Sequence, residues 1–265
     1  MRVSVSAWGW LVEGSSPPLH DFNARKELPN RKHLKLMSRA DRLGIAAIGR
    51  AIAAYPKWEE TPPERRGLFV GTNPAGTEPA TLEPAMARSV EDGTFSVAAF
   101  GECGVPYVPP LWLVRGLSNN ILGFSSSYWD IRGANGNRCE GRVSGLAAVI
   151  EGVRCIAEGR ADVVVAGGAD SLRRLEGVIP GVHGEGAAFV LLTRAQEAGP
   201  GIVDAGLGYF PEENTAHAVN TPELGACTGV VDLVHWLHTG GESIEVTVAD
   251  PTGLTAWLSA SQERR

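Results

Sequence analysis

Residues 133–170, GANGNRCEGRVSGLAAVIEGVRCIAEGRADVVVAGGAD, decide how this chain is read. Leu146, Val149, Ile150, Val153 and Ile156 recur every three or four positions, the period of one helix face, and Ser144-Gly145 opens that helix. Gly159 stands where a helix C-cap glycine belongs. Val163-Val164-Val165 follows as an uninterrupted apolar strand, the pattern of a strand covered on both faces. Cys139, Arg142 and Ser144 crowd the helix start, where free N–H groups and the helix dipole favour negative charge. Covalent chemistry, if the chain performs any, is expected at this turn.

The 265 residues are 43% hydrophobic and 20% charged, enough to bury a core without disulfide or metal staples. A net charge of −6, with Lys and Arg massed in no run, argues against a nucleic-acid or anionic-membrane surface. Cys103, Cys139, Cys155 and Cys227 form no CxxC pair, so no metal is expected. Gly167-Gly168 follow a strand without the G-x-G-x-x-G order of a dinucleotide site, and no cofactor is expected. Near the N-terminus Val3, Val5 and Ala7 alternate with Ser4, Ser6 and Trp8, which is strand behaviour rather than a signal peptide. No stretch reaches the roughly 18 apolar residues of a membrane span. A cytoplasmic setting is the expectation.

Outward from the opening stretch, strands and helices alternate. Residues 2–12 predict a strand; Ser38 and Asp41 predict a capped helix to Tyr55, carrying Leu43, Ala46, Ala47, Ile48 and Ile52. Gly67–Gly71 is a short apolar strand, residues 72–110 are rich in breakers, and Leu111–Tyr128 holds a helix with irregular turns. Strands are expected at Ala187–Thr193, Gly201–Tyr209, Ile244–Ala249 and Thr255–Ser259, with a helix at Ala226–His238. This alternation predicts an α/β fold with a largely parallel, buried sheet.

Several segments, in order, resemble the β-ketoacyl synthase family, the condensing enzymes of the thiolase fold. Lys35-Leu36-Met37-Ser38-Arg39-Ala40-Asp41-Arg42-Leu43 is similar to its K-x-M-S-R-x-x-R-L segment. Ser118-Asn119 sits like its P-N-M, and Gly159–Asp170 is close to G-x-A-D-V-V-I-A-G-G-A-E. Gly184-Glu185-Gly186-Ala187-Ala188 resembles G-E-G-A-A, and Gly208-Tyr209 the G-Y-G that starts the second half. The resemblance implies a thiolase-like fold of two related βαβ-type halves, layered α/β/α/β/α, with a truncated second half. It divides the chain into residues 1–196, a ketosynthase N-terminal-like half, and 197–265, a shortened C-terminal half, in one compact unit.

The departures concern the chemistry. The family's nucleophilic cysteine stands two residues before the Ser-Gly pair, and that register puts Arg142 there. Arginine is permanently protonated and cannot attack a thioester. Gly225-Ala226-Cys227-Thr228-Gly229 resembles the family's G-H-T-x-G with Ala226 in place of the histidine, and a methyl group carries no proton. His217 has two registers; the one without gaps aligns it with a non-catalytic family segment, D-A-Y-H-M-T-S-P. Asp170-Ser171 runs almost directly into Gly184, and much of the second half near Pro222 and Leu224 is missing.

Two residues stay open as replacements. Cys139 is either a displaced nucleophile, with Arg138 and Arg142 favouring its thiolate, or a packing residue. His217 is either its base or a solvated loop residue. Arg142 either plugs the vacated pocket, binds an anionic ligand or makes a salt bridge, with Glu140 its nearest acid. Ser144 lacks the G-x-S-x-G frame of a hydrolase.

The resemblance therefore implies a non-catalytic, chain-length-factor-like subunit that pairs with an active β-ketoacyl synthase in fatty-acid or polyketide (aryl-polyene) biosynthesis. Such a subunit would help shape its partner's acyl tunnel and meet the acyl carrier protein through the complex. The family's dimer seam falls on Gly133, Ala134, Asn135, Gly136, Asn137, Arg138 and Cys139, with Trp112 and Trp129 as apolar additions if exposed. The alternatives are an active acyltransferase using Cys139 and His217, and a module that only binds an acyl chain or carrier protein.

Overall fold

The computed structural model describes residues 2–13, 19–73, 79–175, 184–194, 199–210 and 224–263. Strand β1 (Val3–Leu11) leads to the short helix α1 (Ala24–Glu27), a 3-10 turn (Arg31–Leu36), the long helix α2 (Arg39–Ala53) and strand β2 (Arg66–Gly71). An excursion follows: α3 (Glu83–Ala87), a hairpin of β3 (Val90–Glu91) and β4 (Thr94–Phe95), α4 (Val97–Ala99), a π turn (Phe100–Gly104) and α5 (Trp112–Arg115). Then come α6 (Asn120–Tyr128), β5 (Asn135–Arg138), α7 (Ser144–Ala157), β6 (Val163–Ser171) and β7 (Glu185–Arg194). The chain closes with β8 (Gly199–Tyr209), α8 (Val230–Thr239), β9 (Ser243–Ala249) and β10 (Leu254–Glu263).

The long helices form where the local chemistry asks for them. Ser38 Oγ accepts the Asp41 N–H at 3.1 Å and Asp41 Oδ2 accepts the Ser38 N–H at 2.8 Å, closing the capping box of α2. Gly159, at φ +70°, ends α7 in the left-handed conformation that a Cβ disfavours. The last helix starts four residues later than its apolar pattern suggests. Gly225 (φ +57°) opens a separate 3-10 turn, Gly225–Cys227, and Thr228 is non-helical.

Among the described residues eight strands form one sheet in the order β5-β2-β6-β7-β1-β8-β10-β9. Only β5, β2 and β6 are mutually parallel; every other pair is antiparallel. The largely parallel sheet expected from the sequence is thus corrected to a mixed one. Parallel pairing needs a crossover, and β9 reaches β10 through residues 250–253 alone, which permits only an antiparallel return.

The sheet repeats itself. The neighbours β6-β7-β1, with α7 leading into β6, recur as β9-β10-β8, with α8 leading into β9. The two units meet where β1 and β8 pair, at Val3↔Ile202 and Ser4↔Gly201. Between β1 and α7 the first unit holds residues 12–143, including α2, β2 and β5; between β8 and α8 the second holds only residues 210–229. The second half is therefore truncated by the counterparts of those elements.

Two cores result. Leu43, Ile45 and Ile48 of α2 pack with Val165, Leu191 and Phe189 on one face of the first-half strands. The other face, with Val164, Val190 and Leu192, shares a core with α7, α8 and the second-half residues Val246, Val248, Ala256 and Leu258. The layers run α2, first-half strands, α7 with α8, second-half strands. Among the described residues no helix forms a fifth layer.

Candidate functional site

The two central helices each begin after a 3-10 turn, Gly141–Val143 before α7 and Gly225–Cys227 before α8. These turns touch. A Cβ at Gly145 or at Gly168 would collide with the Ala226 carbonyl oxygen, so both positions need glycine for the turns to close on one another. Two helix N-termini thus converge on one place, an arrangement that favours a developing negative charge.

The described side chains at that place include no evident nucleophile. Arg142 sits half-buried on the first turn, and Ala226 is fully buried on the second. Cys227, the next residue, is no substitute. Burial pushes its thiol up, the Asp170 carboxylate adds to the shift, and its S–H donates to the Leu224 carbonyl at 3.1 Å. A thiol held protonated is not a nucleophile.

Asp170, buried at the end of β6, ties this region together, a part the sequence analysis did not assign. Its carboxylate accepts the N–H of Ala226 at 3.3 Å, the N–H of Ser171 at 2.8 Å and the side-chain amide of Asn73. A second unassigned link is the bidentate pair of Arg39 with Glu185, at 2.8 and 3.0 Å, to which Ser171 adds a hydroxyl at 3.0 Å. Burial would raise the Glu185 carboxyl, but the Arg39 hydrogen bonds and charge outweigh it and hold it below its usual range. The segments resembling K-x-M-S-R and G-E-G-A-A are thereby joined by an ion pair. Their shared presence in the sequence was the only signal for it.

Cys139 follows β5 and is half-buried. Asn137 Nδ2 donates to its Sγ at 3.1 Å, and the Thr72 hydroxyl lies 3.4 Å away. Glu140 pairs with Arg138 at 3.0 Å, so the acid nearest Arg142 in sequence is engaged with another arginine. The described histidines are elsewhere too. His33 stacks on Tyr128, His235 and His238 flank Trp10, and His20 neighbours Asp21. His217 and His183 lie outside the described residues. Among the described residues no three or more metal-ligating side chains gather, and no helix is long and apolar enough to cross a membrane.

Gly133–Cys139 runs along one edge of the sheet. The carbonyls of Ala134 and Arg138 accept the N–H groups of Leu68 and Thr72. By the alternation of a strand, Asn135 and Asn137 turn their N–H and C=O groups outward. Asn137 Oδ1 and Glu140 Oε2 are buried without a donor among the described residues. Trp129 is no free surface, since its indole fills the space over Gly49; Trp112 is half-buried, its Nε1 without an acceptor among the described residues.

A cleft of about 920 Å³ opens beside α2, lined by Arg25, Arg31, Lys32, Lys35, Arg39 and Arg42 with Phe22 and Leu34. These cations form no run, yet three of the chain's four lysines lie between residues 26 and 35, and folding gathers the arginines around them. No described acid lies within ion-pair distance of Arg25, Arg31, Lys32 or Lys35. The acidic net charge therefore conceals one strongly basic surface.

No protein-family model matches the sequence, and no curated protein sequence matches it significantly. Solved structures do match in shape. One is the type II polyketide acyl carrier protein in complex with its ketosynthase bound to the hexaketide, AntDE:AntF, at a TM-score of 0.78 and 16% identity over 99% of both chains. The chain has the ketosynthase fold. A β-ketoacyl synthase from Burkholderia phymatum aligns at 0.73 and 14% identity, over 99% of this chain and 100% of that one. The ketosynthase ApeO in complex with its chain length factor ApeC from Xenorhabdus doucetiae aligns at 0.69 and 14%, over 98% of both chains.

Proposed function

We propose that this chain is a non-catalytic subunit of the chain-length-factor kind, pairing with an active β-ketoacyl synthase in fatty-acid or polyketide biosynthesis, including aryl-polyene pathways. One observation carries the reading: the two turns that meet at the helix N-termini hold Arg142 and Ala226, neither able to attack a thioester or move a proton. Removing a nucleophile from such a site costs on the order of 10⁴–10⁶ in rate. The scaffold is kept, and its use is then to hold and shape a partner's acyl tunnel. Residues 1–196 and 197–265 would act as one unit, since they share the core around α7 and α8.

The edge Gly133–Cys139 supports the pairing. Its outward Asn135 and Asn137 groups are a ready template for a strand of the partner, and the buried Asn137 and Glu140 oxygens would gain donors there. The basic cleft supports contact with the acyl carrier protein, because an acidic carrier surface would find Arg31, Lys32 and Lys35 unneutralised.

Co-expression with a ketosynthase from the same genome, followed by size measurement, tests the pairing. A 1:1 complex with altered product length is expected. Asn135→Pro, which removes an outward N–H without cutting the ladder to β2, should weaken it while the isolated chain stays folded. A chain that stays monomeric and leaves product length unchanged overturns the reading.

A further inference from the structure

We infer that this chain associates head to tail with a second copy of itself, the acidic outer face of the second-half strands of one copy meeting the basic cleft beside α2 of the next. This contact is independent of the pairing proposed above, because β5 and β9 are opposite edges of the sheet.

The charges are sorted along the chain. Between Arg194 and Arg264 there is no lysine or arginine against ten Asp and Glu, so the second half carries a field of one sign. The fold turns two of these acids onto one face. Ala256, Leu258 and Ala260 of β10 belong to the shared core, so Trp257 and Ser259 point outward. Ser259 lies between Glu245 of β9 and Asp204 of β8, both exposed. Neither acid has a described cation within ion-pair distance. In the adjacent row Trp257 covers Gly206, and the Phe210 ring, 42% exposed, covers Gly208. The face is thus an aromatic centre beside two unpaired carboxylates, and among the described residues no helix lies over it.

The cleft is its complement. Phe22 and Leu34 line it, with the exposed cations Arg25, Lys32 and Lys35 around them. The two surfaces lie on the outermost layers at opposite ends of the stack, α2 at one and the second-half strands at the other. Complementary patches on opposite ends cannot meet within one chain; they make a heterologous contact that repeats from copy to copy. In that arrangement the α1–α2 end of the next copy supplies the layer that the second half lacks, as α2 does for the first half. An acidic carrier surface would compete for the same cleft, since both need its cations.

The test is sedimentation of the full-length chain alone across protein concentration. At low salt the mass should rise with concentration through species larger than a dimer. At about 1 M salt, where the Debye length is about 3 Å, it should return to the monomer. Lys32→Glu/Lys35→Glu and Asp204→Lys/Glu245→Lys replace exposed side chains, so each double variant should keep the wild-type melting temperature. Its apparent Kd for self-association should rise about tenfold or more. An equimolar mixture of the two variants should associate again, because each presents the charge that the other's altered surface needs. A wild-type chain that is monomeric at low salt overturns the inference and leaves the pairing with a ketosynthase standing. Self-association that Asn135→Pro abolishes and both charge variants keep overturns the assigned surfaces. A mixture that stays monomeric overturns their mutual contact.

Discussion

The first and second halves of the sheet are built from the same unit and finished differently. Every residue of β6 is buried, as is all of β7 but Arg194, because α2 lies on one face and α7 with α8 on the other. In β9 only Val246 and Val248 are buried, facing the shared core, while Ser243, Glu245 and Thr247 face outward. Deleting the counterpart of α2 would leave a naked apolar sheet if the sequence had not changed with it. The alternation of β9 shows that it did. The short second half is an adapted architecture with one solvent-facing side, as antiparallel strands allow and fully covered strands do not.

The largest effect should separate the two kinds of strand. Leu191→Ala in β7 removes a fully buried side chain and should cost about 2–5 kcal/mol. Thr247→Ala on the outward side of β9 should stay within about 0.5 kcal/mol. Equal costs in chemical denaturation would break the comparison.

Next is a pH effect confined to the first half. Burial raises the Asp41 carboxyl from 3.8 to about 6, against the lowering hydrogen bonds of Ser38 and Asn120 and the charge of Arg42. The folded state therefore holds this proton more tightly than the unfolded chain. Asp41 stabilises the fold as pH drops from about 6 towards 4, and its contribution is lost as pH rises through that window, about 3 kcal/mol in all. Asp41→Asn keeps an acceptor for the cap and should flatten this part of the stability profile. An unchanged slope would show that Asp41 is not the titrating group.

A smaller effect is expected on the open face. Trp257 lies across Gly206, where a Cβ would collide with its ring, and meets Phe210 edge-on at 6.1 Å. Gly206→Ala should cost about 1–3 kcal/mol by displacing the indole, and tryptophan fluorescence should shift with it. The smallest expected change is none. Incubated with an acyl carrier thioester, Cys139 should carry no adduct by mass spectrometry, and an adduct would restore the acyltransferase alternative.

The capping box of α2, the apolar face of α7 and the buried run of β6 were legible from spacing alone, since each depends on neighbours within a few residues. Strand direction was not, because it depends on which connections turn back, and β9–β10 does so in four residues. Arg142 and Ala226 could be marked from motif register as chemically silent. The basic cleft escaped notice because its cations are scattered from Arg25 to Arg42 and become one surface only through the packing of α1 and the following turn against α2.

Residue chemistry in one dimension was enough to say that Arg142 cannot attack a thioester and that Ala226 can neither donate a hydrogen bond nor carry a proton, because protonation and nucleophilicity belong to the side chain. It could not say that the two residues share one place. That follows from the repeat of α7-β6-β7 as α8-β9-β10, which brings two distant helix N-termini together over Gly145 and Gly168. Convergence of this kind is long-range packing, and no local pattern encodes it.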